Sequence, residues 1–109
     1  MIKRNGRKVM QKVRITAVRR SFYADLSEKY ENFLPDACNV TVGQTFVSEN
    51  AEKPEGFCDS AWETLFPFVK TLAEGGGNFF GNWMKNPHSA LVSCNDGFRP
   101  VSFLVETIE

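Results

Sequence analysis

Trp62, Leu65, Phe66, Val69, Leu72 and Ala73 recur at the three- and four-residue spacing of one helical face, and Gly75, Gly76 and Gly77 then end the pattern. A helix of this kind has to bury its stripe, and the rest of the chain offers mostly strands as partners. Ser60-Ala61-Trp62-Glu63 has the form of a capping box at its start. Pro67 lies inside the stripe, so the reading is either a kink or a first turn followed by a fresh helix that begins near Pro67.

The strand signals lie on both sides of that helix. In residues 9–18, Val13, Ile15 and Ala17 alternate with Lys12, Arg14 and Thr16, the period of a half-buried strand. Phe22, Leu26, Tyr30 and Phe33 then recur at helical spacing up to Pro35 and predict a short helix. Residues 38–47 return to β-type content, with a bend or bulge expected at Gly43, and residues 48–54 read as a polar loop. Residues 78–89 carry Phe79, Phe80, Trp83 and Met84 without a clean period, which reads as a loop whose aromatics pack down on the domain. The chain closes as a hairpin: residues 90–94, a turn at Asn95-Asp96-Gly97, and residues 101–108, with Pro100 at the second strand's entry. The fold class expected is α+β, a small, mostly antiparallel sheet of about four strands packed on one main amphipathic helix plus a short helix.

At 109 residues, with 42% hydrophobic content and ten Phe, the chain suits a single compact domain over residues 9–109. Residues 1–8 read as a basic, flexible N-terminal arm. Net charge is zero, but Lys3, Arg4, Arg7, Lys8, Lys12, Arg14, Arg19 and Arg20 crowd the first twenty residues, where there is no acid. A basic cluster of this kind could serve nucleic acid or an acidic partner. With no nucleic-acid-binding motif beside it, the preferred reading is a terminal arm and a solvated strand face. No apolar run has the roughly 20 residues of a membrane span, and a cytoplasmic protein with no membrane partner is expected. Homo-oligomerisation is left open.

The chemistry-bearing residues are few. Three widely spaced cysteines do not form a disulfide framework, so reduced thiols are expected. The turn Pro54-Glu55-Gly56-Phe57 delivers Cys58 to the start of the main helix, where backbone N–H groups favour a thiolate. Cys38, Cys58 and Cys94, with the single histidine His88, could together hold zinc, although no close C-x-x-C pair is present. Cys58 as a lone nucleophile lacks an evident base, because Asp59 beside it opposes thiolate formation. Asp96 and Arg99 flank the last turn, where an Asx-turn and a solvated guanidinium are the bland readings and orientation of an anionic or carbonyl ligand is the functional one.

Phe22-Tyr23-Ala24-Asp25-Leu26 with Tyr30, Pro54-Glu55-Gly56-Phe57-Cys58 with Ala61-Trp62, Pro67, Gly75-Gly76, Trp83, and Cys94-Asn95-Asp96-Gly97-Phe98-Arg99-Pro100-Val101 together carry a resemblance. Cys38 with Gly43-Gln44-Thr45-Phe46 matches approximately. On these motifs the chain resembles a conserved hypothetical family of small prokaryotic proteins of unknown function. The resemblance implies a shared thiol or metal site at Cys58 and Cys94 and leaves His88 outside it. The leading expectation is therefore a small-molecule or metal site, zinc for example, at Cys58, Cys94 and Cys38, bordered by Trp62, Asp96 and Arg99. The alternatives are a non-catalytic interaction module or accessory subunit that uses Phe79, Phe80, Trp83 and Met84 as an apolar contact surface, and a thiol-dependent enzyme.

Overall fold

A computed structural model describes residues 9–32 and 39–108. The expected basic arm (residues 1–8), Phe33, Pro35 and Cys38 lie outside the described residues. The elements run β1 (Lys12–Arg20), α1 (Ala24–Tyr30), β2 (Thr45–Ser48), α2 (Asp59–Ala73), β3 (Ser89–Ser93) and β4 (Val101–Ile108). All three strand pairings are antiparallel, in the order β2-β1-β4-β3. The α+β class expected from the hydrophobic pattern is the class observed.

The alternation in β1 works as the period requires. Val13, Ile15 and Ala17 are buried, while Lys12 and Arg14 are exposed on the other face. Their neighbours across the ladder, Val105 and Phe103 on β4 and Ala90 on β3, continue the buried face, and α2 lies over it through Ala61, Leu65, Val69, Leu72 and Ala73. Between Ala17 and Arg19 the register shifts by one residue: Ala17 pairs with Phe103, but Arg19 pairs with Ser102. Val18 is the extra residue of this bulge, which turns Arg19 to the outer face beside it.

Several expected boundaries move. The second strand is only Thr45–Ser48. Gly43, at φ +94°, turns the chain just before it, and Gly43 N–H and the Gln44 carbonyl bond back to Ala17. The short helix is confined to Ala24–Tyr30 and buries none of its residues, so the Phe22, Leu26, Tyr30 stripe is not a core face. Pro67 neither breaks α2 nor restarts it. Asp59–Ala73 is one helix, because Glu63, whose carbonyl loses its donor to Pro67, lies with Pro67 on the exposed side where water can replace the bond. The expected capping box is not formed: Cys58 takes the N-cap position without a side-chain cap, and Ser60 Oγ bonds Asn95 Oδ1 across to the β3–β4 loop. That contact, with Thr64 Oγ1 donating to the Ser93 carbonyl at 3.0 Å, joins the start of α2 to the end of β3. Gly76 and His88, linked through the His88 ring at 3.2 Å, join the end of α2 to the start of β3, so helix and strand run antiparallel side by side.

Candidate functional site

Trp62 lies two residues from both Ser60 and Thr64, which is about 200° around the helix, so it leaves α2 on the flank opposite the contacts to Asn95 and Ser93. There it meets Phe57 edge-on at 6.2 Å and Phe66 at 5.6 Å. Phe57 itself is buried against Phe46 on β2 (4.8 Å) and Phe103 on β4 (5.4 Å), which fixes the turn ahead of Cys58 to the sheet. Lys53 adds to this, donating to the Phe57 carbonyl at 3.2 Å and pairing with Asp59. Cys58 stands at the helix start, as its sequence position implied, and its side chain is exposed.

Cys94 serves the hairpin. Its sulfur accepts the Val101 N–H at 3.3 Å, while its own N–H donates to the Val101 carbonyl at 2.9 Å, so it closes the mouth of the loop between β3 and β4. Within that loop Asp96 Oδ1 accepts the N–H groups of Phe98 (2.8 Å) and Arg99 (3.2 Å), an Asx-type turn. Arg99 is only partly solvated. Its guanidinium bonds Glu31 Oε1 at 2.5 Å and stacks on the Phe22 ring at 4.7 Å, while Tyr23 N–H donates to the Phe98 carbonyl. The loop therefore clamps α1, which has no buried side chain of its own to hold it. The Ser60–Asn95 bond brings the Cys58 and Cys94 segments together, and the Asx-turn brings Asp96 and Arg99 together. Trp62 stands on the far flank, and Cys38 is outside the described residues. Among the described residues no group of three or more His, Cys, Asp or Glu could hold a metal ion, which leaves the zinc expectation without a ligand set there.

Glu31 and Ser27 are the residues sequence reasoning missed. The Glu31 side chain is only 8% exposed and also accepts Ser27 Oγ at 2.6 Å. Its carboxyl is held below the ordinary range, first by the Ser27 hydroxyl, against the opposing effect of burial, and then by Arg99. A carboxylate with a depressed folded pKa contributes stability above its unfolded value, about 4.3, and loses it as pH falls through the folded value. The protection factors of the α1 amides, taken relative to intrinsic exchange at each pH, are therefore expected to fall on acidification through that range before those of the sheet. In Glu31→Gln they should be low at neutral pH as well, with the acid-side loss gone. Protection factors in α1 that ignore both pH and the substitution would show that the clamp does not hold it.

The least expected geometry is in the loop between α2 and β3. Asn78 N–H donates to the Pro87 carbonyl at 2.6 Å and closes the loop's base, Asn78 Oδ1 accepts Asn82 N–H, and Asn86 Oδ1 accepts His88 N–H. Asn78, Phe80 and Asn82 all have left-handed backbone, at φ +55°, +50° and +66°. Asparagine tolerates this conformation; for phenylalanine it costs roughly 1–2 kcal/mol. Phe79 packs on Phe68 of α2 at 5.0 Å and is half-buried, in line with the expectation for the loop aromatics. Phe80 and Trp83 depart from it: they are 76% and 44% exposed, with their rings edge-on at 5.1 Å.

The outer face of the sheet carries a depression of about 330 Å³ lined by Val18, Arg19, Leu91 and Ser102. No helix among the described residues is long and apolar enough to cross a membrane. No protein-family model, curated protein or solved structure matches this chain.

Proposed function

We propose that the chain is a non-catalytic interaction module whose contact surface is the closed loop carrying Phe80 and Trp83, with an apolar protein surface as its partner. The observation that carries this reading is Phe80, an aromatic ring 76% exposed on a backbone at φ +50°. A fold has no reason of its own to accept both the hydration of that ring and the strain beneath it, and local strain of this kind collects where a ligand or partner is engaged. The loop is also held ready: its base is hydrogen-bonded shut, and Phe79 anchors it on α2, so little order remains to be imposed on binding. The thiol-site reading lacks comparable support, since the Cys94 sulfur is already used as an acceptor within the hairpin.

Photo-crosslinking tests this directly. With a benzophenone amino acid at position 80 or 83 of the full chain in cells, a discrete protein adduct is expected, and none from position 63 on the exposed side of α2. The absence of any discrete adduct from both loop positions would end the proposal. Phe80→Gly separates the two roles of that position: relief of the left-handed strain is offset by about 0.5–1 kcal/mol of backbone entropy, so stability should be held or slightly raised while association is lost.

A further inference from the structure

From the outer edge of β3, which no further strand among the described residues pairs, we infer a second contact element and the identity of the partner: a second copy of this chain, joined by antiparallel pairing of β3 with its twofold mate. Hydrogen bonds from Cys94 to Val101 and from Thr107 to His88 fix which β3 residues bond inward to β4. By alternation these are His88, Ala90, Val92 and Cys94, so the N–H and C=O groups of Leu91 and Ser93 point out of the sheet. Both residues are exposed, Leu91 by 46%, and among the described residues only the Ser93 carbonyl has a partner there, Thr64 Oγ1, which leaves that oxygen a second lone pair. Ser-Ala-Leu-Val-Ser carries no charge, proline or bulge, the devices that normally protect an edge. The opposite edge, β2, is only four residues long, which is itself a protection.

The register follows from these groups. A twofold axis at Val92 sets Leu91 opposite the mate's Ser93 and Ser93 opposite the mate's Leu91, which gives four main-chain hydrogen bonds from the exposed residues alone. It leaves out Ser89, which is buried. An uncharged strand meets its own copy without like-charge repulsion, and the identical strand supplies donors and acceptors in the required alternation. Five residues of edge fall well short of the roughly 800 Å² per partner of a stable interface. The inference therefore rests on the preceding reading for the remaining area. Phe68 lies one turn beyond Thr64 on the same flank of α2 and touches both Phe79 and Phe80, which places the exposed aromatics along this edge, on the helix side of the sheet. Leu91 flanks the seam on the other side.

The test is the solution mass of the full chain with a register-specific crosslink. Sedimentation should carry the mass from 12.3 kDa toward twice that value as concentration rises. Val92→Cys, with Cys38, Cys58 and Cys94 replaced by Ser, should form a disulfide dimer on mild oxidation, because directly opposed residues of a non-hydrogen-bonded pair have Cα atoms about 4.5 Å apart. Leu91→Lys should stay at 12.3 kDa with an unchanged circular dichroism spectrum, and Val47→Lys on the β2 edge should behave as the parent. A parent that remains monomeric to about 1 mM, where even millimolar affinity would show, overturns the inference. So does a dimer that neither crosslinks through position 92 nor responds to Leu91→Lys; if that dimer is lost in Phe80→Ser/Trp83→Ser, the aromatic-loop reading survives alone. A position-92 crosslink that persists at full strength in Phe80→Ser/Trp83→Ser supports the strand pairing and removes the loop from it.

Discussion

Replacing Phe103 with alanine is expected to lower the unfolding free energy by about 3–5 kcal/mol, the usual cost of removing a fully buried phenylalanine. Phe103 is 1% exposed on β4, between Ala17 on β1 and Val92 on β3, under the helix. Its ring is also the floor for Phe57, which meets Phe46 and approaches Trp62, so the loss extends from the centre of the sheet to the turn that leads into α2. Domains of this size hold only about 5–15 kcal/mol in total, so about a fifth or more of the stability goes with one side chain. Urea unfolding would show this as a lower midpoint at unchanged slope. The control is Tyr30→Ala, at an exposed position of a helix that buries nothing, where the midpoint should hardly move. Similar losses in the two variants would mean that the sheet-and-helix interface is not the core.

That interface is the part of the fold most legible in the sequence, because burial on one side imposes a period. Val13, Ile15 and Ala17 alternate, Leu65, Val69 and Leu72 recur along one helix face, and all six are buried. The pattern is weaker where other forces act. Phe22, Leu26 and Tyr30 have helical spacing but lie exposed, since α1 is held by the Arg99–Glu31 pair and by main-chain bonds to the loop at Phe98 and Pro100. A salt bridge across 68 residues has no local periodicity to reveal it. Ser60 and Glu63 satisfy a capping motif, yet the hydroxyl finds Asn95 instead, a competition decided by tertiary placement.

The candidate site divides in the same way. Asp96 could be read as an Asx-turn from its place before Gly97, and the turn is formed. Cys58 could be read at a helix start from the turn residues before it, and it stands there. Sequence could suggest that Phe79, Phe80 and Trp83 belong to one loop, but not which ring turns inward. That depends on Asn78 and Asn82 entering the left-handed region around Phe80, a backbone choice that asparagine and glycine permit without announcing. The strand edge was equally hidden, because the outward-pointing groups of Leu91 and Ser93 follow from strand order and hydrogen-bond phase rather than from residue type.

Gly77→Ala should be the most disruptive single change to the proposed contact surface. A Cβ at Gly77 would overlap the Pro87 carbonyl oxygen and press on the His88 ring. That carbonyl is the acceptor for Asn78 N–H, so it cannot swing away without opening the base of the loop. The cost is steric, about 1–3 kcal/mol as for other forced overpacking, and it can be relieved only by letting residues 78–87 depart from their closed form. Gly76→Ala is the instructive neighbour, since there a Cβ meets the Thr71 methyl and then the Thr71 carbonyl oxygen, both less closely than Gly77 meets Pro87, and Gly81→Ala meets nothing at all, although its φ of +56° leaves a backbone penalty. The expected order of damage is thus Gly77 well ahead of both. In Gly77→Ala the crosslink from position 80 should disappear while the β1 and β4 amides stay protected, because the loop is built on the core without forming part of it. A Gly77→Ala protein with parental stability and parental crosslinking would show that neither the closure of the loop nor the direction it gives Phe80 matters to the contact.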